Sequence, residues 1–169
     1  MGKKSKAKKN RRPETREADG PKKFYHYTVL QTFEKIIHSG EIQPTSVKVN
    51  DNERPAAWFS TNPIWEETVR KRVARSEDEP GPLLSRDGLS KAGFPPVRIE
   101  ANPNRVHLIP WEELKRISGI TRNEARRLER VAREWGANPH EWYATFNAVP
   151  LTSCLTPIEI WDGKKMGGH

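Results

Sequence analysis

Two strand-like segments sit at opposite ends of the chain, and their residues suggest a fold that brings them into one sheet. Phe24-Tyr25-His26-Tyr27-Thr28 is aromatic and β-branched, with a histidine between two tyrosines. The second segment opens on Glu141 and reads as a strand over 142–147, followed by Val149-Pro150-Leu151. Between them, Trp58-Phe59-Ser60-Thr61-Asn62-Pro63 reads as a third strand that runs into a helix start. The pattern predicts a sheet that collects a histidine, a Ser/Thr pair and a glutamate from three strands remote in sequence.

The intervening chain alternates helix and strand signals. Val29, Leu30, Phe33, Ile36 and Ile37 recur at helical spacing, Gly40 follows as a stop, and Thr28 is a candidate cap. Residues 55–60 read as a buried strand, and Asn62-Pro63 predicts a helix over about 64–73. Residues 76–96 are acidic, then rich in Gly, Pro and Ser, and read as an exposed loop or lid. Residues 97–101 alternate with period two, 105–109 form a short extended piece, and Pro110-Trp111 starts a short helix. The clearest helix spans 123–135, with an apolar stripe of Ala125, Leu128, Val131, Ala132 and Trp135. Its other face carries Arg122, Arg126, Arg127, Arg130 and Arg133, tempered by Glu124, Glu129 and Glu134; Gly136 ends it. Residues 157–161 form a last strand. The order predicts an α+β fold.

At 169 residues the chain fits one domain with tails. Its hydrophobic content of 34% is low, and the cause is local. Residues 1–23 hold ten Lys/Arg and three Asp/Glu, whereas the other 146 residues hold twenty and nineteen. The predicted division is a disordered basic tail over 1–23, a domain over 24–163 and a flexible tail over 164–169. The tail attracts polyanions by counterion release without reading sequence. Cys154 is the only cysteine, which excludes an intrachain disulfide and a cysteine-built zinc site and suits a reducing, cytoplasmic location. No apolar run of about 18 residues is present, so no membrane span is expected, and no apolar segment follows the N-terminal basic residues as in a secretory signal. His38, His107 and His140 lack metal-ligand spacing.

Tyr25-His26-Tyr27-Thr28, followed by a helix closing on His38-Ser39-Gly40-Glu41-Ile42-Gln43-Pro44, resembles the opening of the ADP-ribosyltransferase superfamily. Glu141, Val149-Pro150-Leu151 and Ile158-Glu159-Ile160 are similar to the closing motifs of the bacterial DNA-targeting ADP-ribosyltransferase toxins and related prokaryotic and phage proteins. The resemblance spans roughly residues 24–162. It implies a split mixed β-sheet with flanking helices, NAD as co-substrate, and ADP-ribose transfer to a macromolecular acceptor, with nucleic acid a candidate. It further implies that His26 binds the adenosine-side ribose, with Tyr27 and Thr28 in the same pocket. Trp58 or Phe59 would lie near the nicotinamide, and Ser60 and Thr61 beside its ribose. Glu141 would hold a ribose hydroxyl and face the charge that develops as nicotinamide leaves. Arg54, just before the second strand, is the candidate basic residue of the site, with Arg98 a second. Many members of the superfamily keep a tyrosine on the second strand, where this chain has Trp58-Phe59-Ser60.

The chemistry has its own logic. Breaking an N-glycosidic bond builds positive charge at the sugar carbon, and a fixed carboxylate binds that charge more strongly in the transition state than before it. A neutral imidazole offers one donor and one acceptor to a diol. Two other functions fit the same residues. The basic tail and the arginine face of 123–135 suit a non-catalytic nucleic-acid-binding protein. An RNA 2′-phosphotransferase-like enzyme would depend on Arg54, Arg98 or Arg105 and be indifferent to Glu141. Plain structural roles also stand: His26 as a hydrogen-bonded strand residue, Glu141 as a loop acid, Ser60-Thr61 as a helix cap. Trp65, Trp111, Trp135 and Trp161 fit packing positions.

Overall fold

The computed structural model describes residues 22–45, 50–72, 81–164 and 166–168. In chain order these form β1 (Phe24–Val29), α1 (Leu30–Ser39), β2 (Glu41–Ile42), β3 (Ala57–Ser60), β4 (Lys71–Arg72) and β5 (Leu83–Leu84). There follow α2 (Arg86–Lys91), β6 (Pro96–Ala101), β7 (Ile109–Pro110), α3 (Trp111–Ile117) and α4 (Arg122–Glu134). A 3₁₀ turn (Pro139–Glu141) leads into β8 (Trp142–Thr145), then β9 (Val149–Pro150), a second 3₁₀ turn (Leu151–Ser153), β10 (Glu159–Trp161) and β11 (Met166–Gly168).

Seven strands make one sheet in the order β11-β10-β6-β1-β3-β8-β7. Every pairing is antiparallel. The chain is therefore α+β, but its sheet is not mixed: each strand meets its neighbour by reversal, and no parallel crossover occurs among the described residues. β1 pairs with β6 along its whole length, from Phe24↔Ala101 to Val29↔Pro96. With β3 it shares only Tyr25↔Ser60. Beyond that single pair the two central strands diverge. β3 in turn pairs with β8 over four residues, Ala57↔Thr145 to Ser60↔Trp142.

α1 covers one face of the sheet. Its Phe33 and Ile36 bury against Ile42, Phe59, Val97 and Ile99, and each such side chain contributes roughly 1.5–3 kcal/mol. Gly40 ends the helix at φ 76°, donating to the Ile36 and Ile37 carbonyls. Thr28 does not cap it. Val29 holds the cap position without a side-chain bond, and Thr28 is buried within β1. The other face carries α3 and α4. Trp111, Leu114, Ala125, Ala132 and Trp142 form a second core, and Tyr25, Tyr27, Trp65 and Leu89 a third. Thr121 caps α4 by accepting from the Glu124 N–H and donating to its carboxylate. Glu129 ties α4 to α3, accepting from the Trp111 indole at 2.8 Å and the Lys115 amine at 3.0 Å.

Three further expectations need correction. No helix forms over the described part of 64–73. The Asn62 side chain accepts from the backbone of Ile64 and Trp65, making a turn of what reads as a helix start. Trp65 is then drawn under Tyr27, at 5.2 Å between rings, and the chain leaves as β4. The described part of 76–96 is not a free loop: Ser85 caps α2, which plants Leu89 in the core. Met166–Gly168 pairs with β10, so the sheet continues into the last residues. The basic tail lies outside the described residues except for Lys22 and Lys23.

Candidate active site

The motif-bearing strands β1, β3 and β8 are immediate neighbours at the middle of the sheet. Where β1 and β3 part, His26 bridges the gap. Its Nδ1 lies 2.9 Å from the Trp58 carbonyl, and its ring packs on Phe59 at 5.6 Å between centroids. A carbonyl only accepts, so Nδ1 carries the hydrogen and the other ring nitrogen is left as an acceptor. Burial pushes the His26 pKa below its ordinary 6.5; the Trp58 bond opposes this, and the Lys71 charge adds to it. The imidazole is neutral at physiological pH. Lys71 itself is half-buried, donates to the Thr32 hydroxyl at 2.9 Å, and is held below the usual lysine range by burial and by Lys35.

Glu141 stands at the mouth of β8. The Thr61 N–H donates to its carbonyl at 2.9 Å, one step beyond the Ser60↔Trp142 pair. Its carboxylate is half-buried, and Oε2 is enclosed with no hydrogen-bond partner among the described residues. An enclosed carboxylate oxygen with nothing to accept from is costly. It is a group positioned to receive a donor or a positive charge.

Beside these strands, α4 and the 66–69 segment enclose a cleft of about 490 Å³. Tyr25, Tyr27, Trp58, Ser60 and Trp142 line it from the sheet, Leu128, Val131 and Trp135 from α4, and Glu66 and Thr68 from the opposite wall. His26 and Phe59 also border it. Leu128 is 37% exposed: the far half of the α4 stripe faces this cleft instead of the core.

The predicted residues divide accordingly. His26, Tyr27, Trp58, Phe59 and Ser60 border the cleft, whereas Thr28, Thr61, Glu141 and Arg54 do not. Thr61 and Glu141 follow and precede lining residues directly. Arg54 is brought nowhere near Glu141. Its guanidinium stacks on Phe146 at 3.7 Å, and its N–H bonds to Ser118. The whole β3–β8 ladder separates the two, about 10 Å of strand rise. Arg98 is occupied as well, paired with Glu159 at 2.6 Å and stacked over Tyr25. Arg105 donates to the Thr152 carbonyl. Arg122, Arg126, Arg127 and Arg130 are exposed on α4, and Arg127 borders the cleft. Burial pushes the Cys154 thiol up to about 11, and it donates to the Pro150 carbonyl.

Sequence reasoning missed Glu66 and Lys71, both on the segment read as a helix over about 64–73. The Glu at the end of Trp65-Glu66, next to a tryptophan that packs under Tyr27, was the available signal. No group of three or more His, Cys, Asp or Glu among the described residues could hold a metal ion, and no helix there is long and apolar enough to cross a membrane. The chain matches no family model, no curated protein and no solved structure.

Proposed function

We propose that the protein is an NAD-dependent ADP-ribosyltransferase with an ADP-ribosyltransferase-like fold. The observation that carries this reading is the convergence of three sequence-distant motifs on adjacent strands. A neutral, oriented His26 sits where β1 and β3 split, and the enclosed, unpartnered Glu141 carboxylate sits one strand away. In this reading the free ring nitrogen of His26 accepts from a ribose hydroxyl of NAD. Glu141 takes a hydroxyl of the nicotinamide-side ribose and opposes the positive charge that grows at its anomeric carbon. The aromatic floor of the cleft excludes water and holds flat groups. ADP-ribose passes to a macromolecular acceptor. Nucleic acid suits the basic tail and the exposed arginines of α4. A 2′-phosphotransferase is less well supported, because Arg98 and Arg105 are committed to internal partners.

The test is nicotinamide release from NAD by wild type and Glu141→Gln, with DNA, RNA and cell lysate added in parallel. Release is expected from wild type and should fall on the order of 10²-fold in the variant, the size of effect seen when one electrostatic stabiliser is removed. No release under any condition, or equal release by both proteins, sinks the proposal.

A further inference from the structure

Glu66 is the most deeply buried carboxylate-bearing residue described, 6% exposed, and it has no ion-pair partner among the described residues. One of its oxygens, Oε1, accepts from the Thr68 hydroxyl at 2.8 Å and the Thr68 N–H at 3.3 Å. No described residue donates to Oε2. Burying a carboxylate without a cation is unfavourable unless its acceptor capacity is used. Here Oε2 is not enclosed and is left open, on a side chain that lines the cleft. Trp142 lines the same cleft and is 8% exposed, its indole N–H enclosed without a partner among the described residues. The cleft thus presents one unused acceptor among aromatic walls. Trp58 and Trp142 meet edge to face at 6.4 Å, with Tyr25 and Tyr27 beside them. Aromatic walls favour a flat ring. An isolated carboxylate favours N–H donors and repels anions.

We propose that this cleft binds a planar heterocycle bearing an amino or carboxamide group, and that Glu66 is the specificity-determining residue that accepts its N–H. The inference deepens the transferase reading, since NAD carries two such rings, a carboxamide-bearing pyridine and an amino-bearing purine. Thr68 holds the carboxylate in place.

The test measures binding of two matched pairs by calorimetry. One is nicotinamide against 3-acetylpyridine, which lacks the N–H. The other is adenosine against purine riboside, which lacks the amino group. Wild type should prefer the N–H-bearing member of at least one pair by about tenfold, the worth of one hydrogen bond to a charged acceptor. The discriminating pair identifies which ring occupies the cleft. Glu66→Gln, checked by thermal melting, should lose most of that preference. Thr68→Val should lose part of it and serves if Glu66→Gln does not fold. Absence of ring binding in wild type, or an unchanged preference in both variants, overturns the proposal. NAD cleavage without ring preference overturns this inference alone. Glu66-dependent ring preference in a protein that never cleaves NAD supports it and overturns the transferase reading alone.

Discussion

The His26 side chain reaches the Trp58 carbonyl at 2.9 Å, so a side chain makes the link between β1 and β3 just where their backbone pairing stops. The separation of the two strands and the fixed orientation of the imidazole are one feature.

That link gives stability a pH dependence with a definite sign. Burial holds the folded-state pKa of His26 below the ordinary 6.5. As pH falls below 6.5, the unfolded chain takes up a proton that the folded chain refuses, and stability falls through the window down to the folded value. Wild type should be less stable to urea at pH 5 than at pH 7, and His26→Gln should flatten the difference. Parallel profiles for the two proteins would show that His26 is not held neutral.

Arg54→Ala separates a catalytic arginine from a structural one. The guanidinium lies over Phe146 at the end of the β3–β8 ladder away from Glu141. An exposed cation–π contact of this kind is worth about 0.5–1 kcal/mol. Stability should drop by that amount, while nicotinamide release stays within about threefold of wild type, less than 1 kcal/mol of barrier. A loss approaching that of Glu141→Gln would place Arg54 in the chemistry after all.

Glu129→Ala tests how α4 is held over the cleft. Burial pushes the Glu129 carboxyl up, but the Trp111 and Lys115 hydrogen bonds outweigh it, and the pKa lies below the ordinary 4.5. Removing the carboxylate orphans the buried Trp111 indole, at about 1–3 kcal/mol. Because the folded pKa is depressed, this contribution is present above pH 4.5 and lost as pH falls through the folded value. The gap between wild type and Glu129→Ala in chemical denaturation should therefore narrow below pH 4.5. A gap constant with pH would mean that the carboxylate acts by packing alone.

What the sequence made legible follows from periodicity. β6 carries a period-two pattern, α1 and α4 period-3.6 patterns and β1 an aromatic, β-branched composition, and each forms within a residue or two of its expected bounds. The segment after Asn62 failed because its local signal is shared: an asparagine oxygen caps a helix or closes a turn equally well, and the choice was made by Trp65 packing under Tyr27. α2 was hidden because Gly88 and Ser90 lie inside it, while its stability comes from one buried side chain, Leu89. The same limit explains the site. The places of His26 on β1 and of Glu141 at the start of β8 were readable because strand position fixes them. Glu66 was not, because its burial depends on a turn that only tertiary contacts select. Arg54 lies away from Glu141 because it precedes β3 as Glu141 precedes β8, and the antiparallel pairing of those strands sets their starts at opposite ends.

Gly119 joins the loop before β3 to the wall of the cleft, and its substitution should reach both stability and binding. It adopts φ +86° between α3 and α4, and a Cβ there would overlap the Asn52 carbonyl oxygen. Gly136, at φ +85°, has open space in the same position. Gly136→Ala therefore carries only the left-handed penalty of about 1–2 kcal/mol, whereas Gly119→Ala adds a clash with backbone that cannot swing aside. The 52–54 segment that would have to move is bonded to α3 through Arg54 N–H and the Ser118 carbonyl at 2.7 Å. Asn50, just before it, donates to Glu124 of α4 at 2.6 Å, and both residues border the cleft. Gly119→Ala should lose at least twice the stability that Gly136→Ala loses in urea titration, and it should weaken binding of the preferred heterocycle. Gly136→Ala should leave that affinity unchanged. Equal losses in the two variants would mean that the loop yields without cost and that the cleft wall does not depend on it.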